Sequence, residues 1–208
     1  MRVKFCGITR LEDAREATRL GAWAIGLNHH PASPRFCEPA AAVEISAAVK
    51  RQLEVVGVFV NPTLDEVVRA AEDESLTMLQ LHGGEGAAFC REAARRTGCK
   101  VIKAIRVRSA ADVQAAEAIR TDYHLLDAYR PGTPGGTGAS FDWEFLADRR
   151  SEVPLILAGG LTPDNVDEAV TTVHPYAVDV ASGVESEPGV MEHTLMAAFL
   201  ERAQAFVS

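Results

Sequence analysis

Pro154-Leu155-Ile156-Leu157-Ala158-Gly159-Gly160-Leu161-Thr162-Pro163-Asp164 is an aliphatic run, a double-glycine turn and then a hydroxyl beside a proline. The run Pro154–Ala158 has the length and composition of a buried strand. Thr162 stands where a side-chain oxygen caps a helix, and Pro163 fits the first helical position, where no N–H is needed. Apolar residues then recur every three or four positions over Asp164–Thr172, the spacing of a one-sided helix. A second apolar run, Ala177–Val180, ends in Ala181-Ser182-Gly183. Two strands joined through a helix, rather than through a tight turn, run parallel.

The same unit repeats outward along the chain. Further strands are expected at Val3–Cys6, Ala24–Asn28, Val55–Val60, Thr77–His82, Val101–Ile105 and Tyr123–Asp127. Helices are expected at Arg10–Leu20, Pro39–Gln52, Leu64–Glu74, Glu85–Thr97, Ala110–Arg120, Trp143–Arg149 and His193–Phe206. Thr63 and Ser109 precede acidic first turns as capping residues, and Gly21 and Gly98 follow helices where a left-handed residue is wanted. Eight strand–helix cycles without a change of pattern imply an α/β fold: a single-domain (β/α)8 TIM barrel, parallel and short-looped, over residues 1–208. A doubly wound open sheet is the alternative, but it calls for fewer strands and a central switch point. No Pro/Ser-rich linker divides the chain.

Composition removes other classes. Basic and acidic residues number 21 and 29, a net charge of −8, which disfavours nucleic acid without a local basic stripe. The densest basic cluster, Arg91, Arg95, Arg96 and Lys100, is interleaved with Glu85 and Glu92 and reads as a solvated helix face. Apolar stretches break within about ten residues, short of the roughly 18–20 a membrane span needs. The opening Met1-Arg2-Val3-Lys4-Phe5-Cys6 does not have the form of a signal peptide. Cys6, Cys37, Cys90 and Cys99 form no CxxC pair and no zinc spacing, so no metal is expected and a reducing cytoplasm fits.

Alternation along each strand sorts inner from outer residues. The expectation places Lys4 and Cys6, then Ala24, Gly26 and Asn28, then Met78, Gln80 and His82, and finally Lys103, Asp127 and Asp179 inside the barrel. Lys4, Lys103 and Asp179 suit either catalysis or a charge-balanced interior network. Cys6 and Asp127 end their strands at the carboxyl face, where barrel enzymes place their chemistry. Glycine-rich loops follow strands six (Thr133-Pro134-Gly135-Gly136-Thr137-Gly138), seven (Gly159-Gly160) and eight (Ser182-Gly183). Glycine lets backbone N–H groups approach an anion, and the last two loops occupy the usual barrel phosphate site. A small phosphorylated substrate is therefore expected.

Several blocks, in order, resemble the phosphoribosylanthranilate isomerase family of tryptophan biosynthesis. They are Lys4-Phe5-Cys6-Gly7-Ile8-Thr9, Ser33-Pro34-Arg35-Phe36, Gly57-Val58-Phe59-Val60-Asn61, Leu79-Gln80-Leu81-His82-Gly83 and Leu125-Leu126-Asp127. Gly135–Gly138 with Phe141-Asp142-Trp143, Ala158-Gly159-Gly160-Leu161 and Val178-Asp179-Val180-Ala181-Ser182-Gly183-Val184-Glu185 continue the likeness. The resemblance implies an Amadori rearrangement of N-(5′-phosphoribosyl)anthranilate to 1-(2-carboxyphenylamino)-1-deoxyribulose 5-phosphate, without cofactor. It makes Cys6 the general base and Asp127 the general acid. Arg35 would grip the anthranilate carboxylate, and Gln80, His82 and Asp179 are expected to line the substrate site, although His82 at its strand exit equally suits a satisfied structural histidine. Gly136, Gly138, Gly159, Gly160, Ser182 and Gly183 would hold the phosphate.

That chemistry sets conditions on both groups. Asp127 must be protonated to open the sugar ring, although a free aspartate has a pKa of about 3.9. Cys6 must shed a proton near neutrality although a free thiol has a pKa of about 8.5, and Lys4 is a candidate to lower it. The stretch Leu27-Asn28-His29-His30-Pro31 departs from the family's apolar pattern, but two adjacent histidines diverge and make a poor metal site. Three rivals remain at this stage: a histidine-pathway isomerase, a Schiff-base aldolase using Lys103, and a phosphosugar-binding module without turnover. Monomer and homodimer are both compatible with the sequence.

Overall fold

In the computed structural model of the chain, β1 (Arg2–Cys6) lies between β2 (Ala24–Asn28) and β8 (Ala177–Val180), parallel to both. The structure describes residues 1–127, Leu146 and residues 149–205. From β2 the ring continues through β3 (Glu54–Phe59), β4 (Met78–Leu81), β5 (Lys100–Arg106), β6 (Tyr123–Asp127) and β7 (Leu155–Ala158) back to β8, a closed barrel. The helices between strands are α1 (Leu11–Leu20), α2 (Pro39–Val49), α3 (Leu64–Asp73), α4 (Ala87–Thr97), α5 (Ala110–Glu117) and α6 (Val166–Val173), and α7 (His193–Gln204) follows the last strand. The expected helix at Trp143–Arg149 lies outside the described residues except for Leu146 and Arg149. None of the described helices is long and apolar enough to cross a membrane.

The helix ends follow the local chemistry. Glu66 N–H donates to Thr63 Oγ1, and the Glu66 carboxylate accepts from Thr63 N–H at 2.7 Å, a reciprocal cap on α3. Asp112 does the same for Ser109 at the start of α5. Gly21 and Gly98 end α1 and α4 with φ of 79° and 71°. α6 begins two residues later than expected. The Asn165 side chain folds back, accepting from Thr162 N–H and donating to Gly160 O, so residues 163–165 form a turn that belongs to the loop.

Alternating side chains split the core into two layers. Val3, Phe5, Leu79, Leu81, Val178 and Val180 face the helices. Ala24, Val56, Met78, Ile102, Leu125 and Ile156 fill the barrel. Because Ile102 and Ala104 both belong to the inner layer, Lys103 points outward, which corrects the expected inward position. Its ammonium donates to Leu81 O, Gly83 O and the Glu85 carboxylate, a set of acceptors that the barrel interior does not offer. Trp23, Tyr123 and Tyr176 pack edge-on or tilted at 5.4–5.9 Å beneath the inner layer, at the strands' amino ends.

One element was not foreseen. After β8 a 3-10 turn (Ser182–Val184) leads into an antiparallel hairpin, β9 (Glu185–Glu187) and β10 (Val190–Met191). Thr9 Oγ1 donates to Gly189 O, and buried Asp13 accepts from Met191 N–H, Arg10 and His193. The hairpin is thus tied to the loop and helix that follow β1.

Candidate active site

Lys4 and Cys6 face inward from β1, as expected from alternation. Lys4 is completely buried and donates from Nζ to Asp179 Oδ1 at 2.7 Å. Gly26 on β2 leaves the room they occupy: a Cβ there would sit 2.9 Å from Cys6 Sγ and 3.0 Å from Lys4 Nζ. Burial alone would lower the Lys4 ammonium, but Asp179 and Cys6 outweigh it and hold it protonated above its ordinary value. For Cys6 the balance runs the other way. Burial pushes the thiol up, and the pull of Lys4 and Arg35 only partly offsets it. Lys4 is therefore the moderating charge expected from the sequence, but the net shift is upward, because burial together with the Asp179 carboxylate outweighs the pull of Lys4 and Arg35.

Gln80, His82 and Asp127 form a second group across the barrel. Gln80 Nε2 lies 3.0 Å from His82 Nδ1, and His82 Nε2 lies 3.4 Å from Asp127 Oδ2. Gln80 is fully buried, and its Oε1 is without a hydrogen-bond partner among the described residues. His82 is held in place from beyond the strand. The Glu85 carboxylate accepts from Asn61 N–H, Gly83 N–H and Lys103, and Gly84 N–H donates to Asn61 Oδ1. Asn61 adopts φ 49° to make these contacts. A cavity of about 370 Å³ opens at this edge, lined by Asn61, His82, Gly83, Ala104 and Arg106.

Arg35 reaches over the first strand exit. Gly7 has φ +85°, and a Cβ there would lie 2.6 Å from Arg35 Cδ, so glycine is required under the arginine stem. The guanidinium is already paired: Nε and Nη2 donate to the Glu185 carboxylate at 2.7 and 2.6 Å. This partner, 150 positions away in the chain, went unassigned in the sequence, where only Glu185's place in the last family-like block was visible.

Gly159 and Gly160 take φ of 94° and 65° after β7, left-handed conformations that favour glycine. Gly183 packs so closely on Leu161 O that any side chain there would collide. The loops after β7 and β8, with Ser182 between them, are thereby pressed into one glycine-walled rim. The expected phosphate contacts Gly136 and Gly138 lie outside the described residues. His29 turns away from the barrel, stacking on Phe59 at 4.6 Å and pairing with Glu74 at 2.8 Å, while His30 N–H donates to Asn28 Oδ1. No cluster of metal-ligating side chains occurs among the described residues.

The profile of the family described as N-(5′phosphoribosyl)anthranilate (PRA) isomerase matches residues 3–202. The chain belongs to this isomerase family. It is 46% identical to N-(5′-phosphoribosyl)anthranilate isomerase of Geobacter sulfurreducens over 206 residues, 99% of this chain and all of that one. The crystal structure of the isomerase from Thermotoga maritima superposes with a TM-score of 0.91 at 40% identity, covering 99% of this chain and 100% of that one. A phosphoribosyl anthranilate isomerase crystallised with reduced 1-(o-carboxyphenylamino)-1-deoxyribulose 5-phosphate gives 0.88 at 38%, again over 99% and 100%. Within this isomerase fold, Cys6, Asp127, Gln80, His82 and Asp179 all face one interior, with Arg35 and the glycine rim above it.

Proposed function

We infer that the protein converts N-(5′-phosphoribosyl)anthranilate to 1-(2-carboxyphenylamino)-1-deoxyribulose 5-phosphate, with Cys6 and Asp127 as the acid–base pair. The observation that carries this reading is the placement of those two side chains on the inner ends of β1 and β6, beneath the glycine rim of β7 and β8. The phosphate sits on the backbone N–H groups around Gly159, Gly160, Ser182 and Gly183, and Arg35 takes the anthranilate carboxylate.

Asp127 gives its proton to the ring oxygen while the anilino nitrogen's electron pair expels that oxygen, opening the sugar to an iminium. Cys6 thiolate then removes the C2′ proton, and the electron pair flows toward the iminium nitrogen to give an enolamine. Tautomerisation to the ketone moves the last proton to C1′. Hydrogen is redistributed within one molecule, so acid–base chemistry suffices and no electron acceptor enters. His82 orients the Asp127 carboxyl, and Gln80 orients His82. Lys4 limits how far burial raises Cys6. Each proton transfer is worth roughly 10²–10⁴ in rate. The protein works as one barrel domain in the cytoplasm, where Cys6, Cys37, Cys90 and Cys99 remain thiols.

The test is the loss of fluorescence of freshly generated phosphoribosylanthranilate. Rapid decay with wild type and near-complete loss with Cys6→Ser and Asp127→Asn is the expected result. An inactive wild type would refute the function, and an active Cys6→Ser would refute the assignment of the base.

A further inference from the structure

An arginine guanidinium offers a carboxylate two forked edges, one made by Nε and Nη2 and the other by Nη1 and Nη2. In Arg35 the first edge is fully taken by Glu185, whose carboxylate is only 4% exposed, whereas Arg35 itself is 24% exposed. Glu185 is itself fixed, because Oε1 also accepts from Gly189 N–H across the hairpin. Gly189 is anchored in turn through its carbonyl to Thr9, two residues beyond Gly7, on which the Arg35 stem lies. The arginine is thus held from below by a glycine next to Cys6 and from the side by a buried carboxylate. Among the described residues nothing else pairs with the guanidinium, which leaves its Nη1/Nη2 edge for a ligand.

We propose that Glu185 is a positioning residue, a clamp that holds Arg35 so that its Nη1/Nη2 edge meets the carboxylate of the substrate's aromatic ring. This rests on the reading of Arg35 given above. The physical gain is pre-organisation. A free arginine loses rotamer freedom on gripping a carboxylate, and a clamped one has already lost it. The alternative consequence of the same contact is competition, in which Glu185 has to be displaced before the substrate binds. The two differ in sign. A clamp removed weakens substrate binding, and a competitor removed strengthens it.

The experiment compares N-(5′-phosphoribosyl)anthranilate with N-(5′-phosphoribosyl)aniline, which lacks the carboxylate, in wild type, Glu185→Gln, Arg35→Gln and the double variant. The clamp predicts that Glu185→Gln reduces the preference for the carboxylated substrate by about tenfold or more, through KM rather than kcat. In the Arg35→Gln background, Glu185→Gln should remove no further preference, a result that mere damage to the hairpin does not produce. Glu185→Asp, which keeps the charge but retracts it, should fall between wild type and Glu185→Gln, and replaces it in the cycle if Glu185→Gln does not fold. A preference unchanged in Glu185→Gln, a lower KM, or a full further loss in the double variant would overturn the clamp while the isomerase reading stands. Wild type that turned over neither substrate would overturn both.

Discussion

Two buried lysines meet carboxylates at nearly the same distance: Lys4 reaches Asp179 at 2.7 Å, and Lys103 reaches Glu85 at 2.8 Å. Their surroundings separate them. Around Lys103 and Glu85 the backbone closes every side, with Leu81 O and Gly83 O on the ammonium and the N–H groups of Asn61 and Gly83 on the carboxylate. Burial would raise Glu85, but Lys103 and backbone N–H donors, Asn61 among them, more than reverse it and hold it below the usual glutamate value. Lys4 and Asp179 face the barrel instead, beside Cys6 and within the field of His82 and Asp127. One pair is saturated by main chain and fastens the loops after β3 and β4 to β5. The other faces the barrel interior at the proposed active site, and its charges act on the Cys6 thiol. A buried ion pair is informative about function through what else its groups touch.

The sharpest way to break this contrast is to remove the groups it serves. Cys6→Ser and Asp127→Asn should each lower kcat by roughly 10²–10⁴ without unfolding the barrel. Circular dichroism run alongside the fluorescence assay separates lost chemistry from lost fold. Next in size, Lys103→Met leaves Glu85 buried without its ammonium and should cost about 3–5 kcal/mol in a urea melt. A smaller loss would mean that the backbone donors alone can carry the charge. Arg35→Lys replaces a forked donor by a point charge, and KM should rise about tenfold or more with little change in kcat.

The smallest effect lies outside both pairs. His124 is buried, its Nε2 donates to Ile119 O, and burial pushes it below the ordinary histidine value. A group lowered on folding supports the fold fully above its unfolded value, and the support fades as pH falls through that value toward the folded one. His124→Gln should therefore flatten the loss of melting temperature between neutral and mildly acidic pH. An unchanged slope would assign that loss elsewhere.

The barrel was legible because its signals are local. Period-two and three-to-four-residue spacing, Thr63 and Ser109 as caps, and Gly21 and Gly98 as stops each act over a few residues. Inward-facing Cys6, Gln80 and Asp127 followed from alternation alone. Lys103 did not, because the expected strand Val101–Ile105 cannot by itself say which alternate set faces in. Register against β4 and β6 decides that, and Ile102 opposite Gln80 and Tyr123 shows the choice made. Glu185 was hidden for a related reason, since its meaning depends on Arg35 at the far end of the chain. The upward shift of Cys6 was hidden because a sequence names the nearby charge but not the depth of burial that opposes it.

The contrast between the lysines is tested most directly by the pH profile of kcat/KM for wild type, Lys4→Met and Lys103→Met, each paired with a melting curve. In the proposed mechanism the base is the Cys6 thiolate, so kcat/KM should rise with pH toward a Cys6 value above that of an ordinary thiol. Lys4→Met removes the charge that restrains the effect of burial, so the rise should move to higher pH. Lys103→Met should leave the position of the rise where it is in wild type and lower the melting temperature instead. A profile unmoved in Lys4→Met, or displaced equally in both variants, would contradict the division between a catalytic and a structural ion pair.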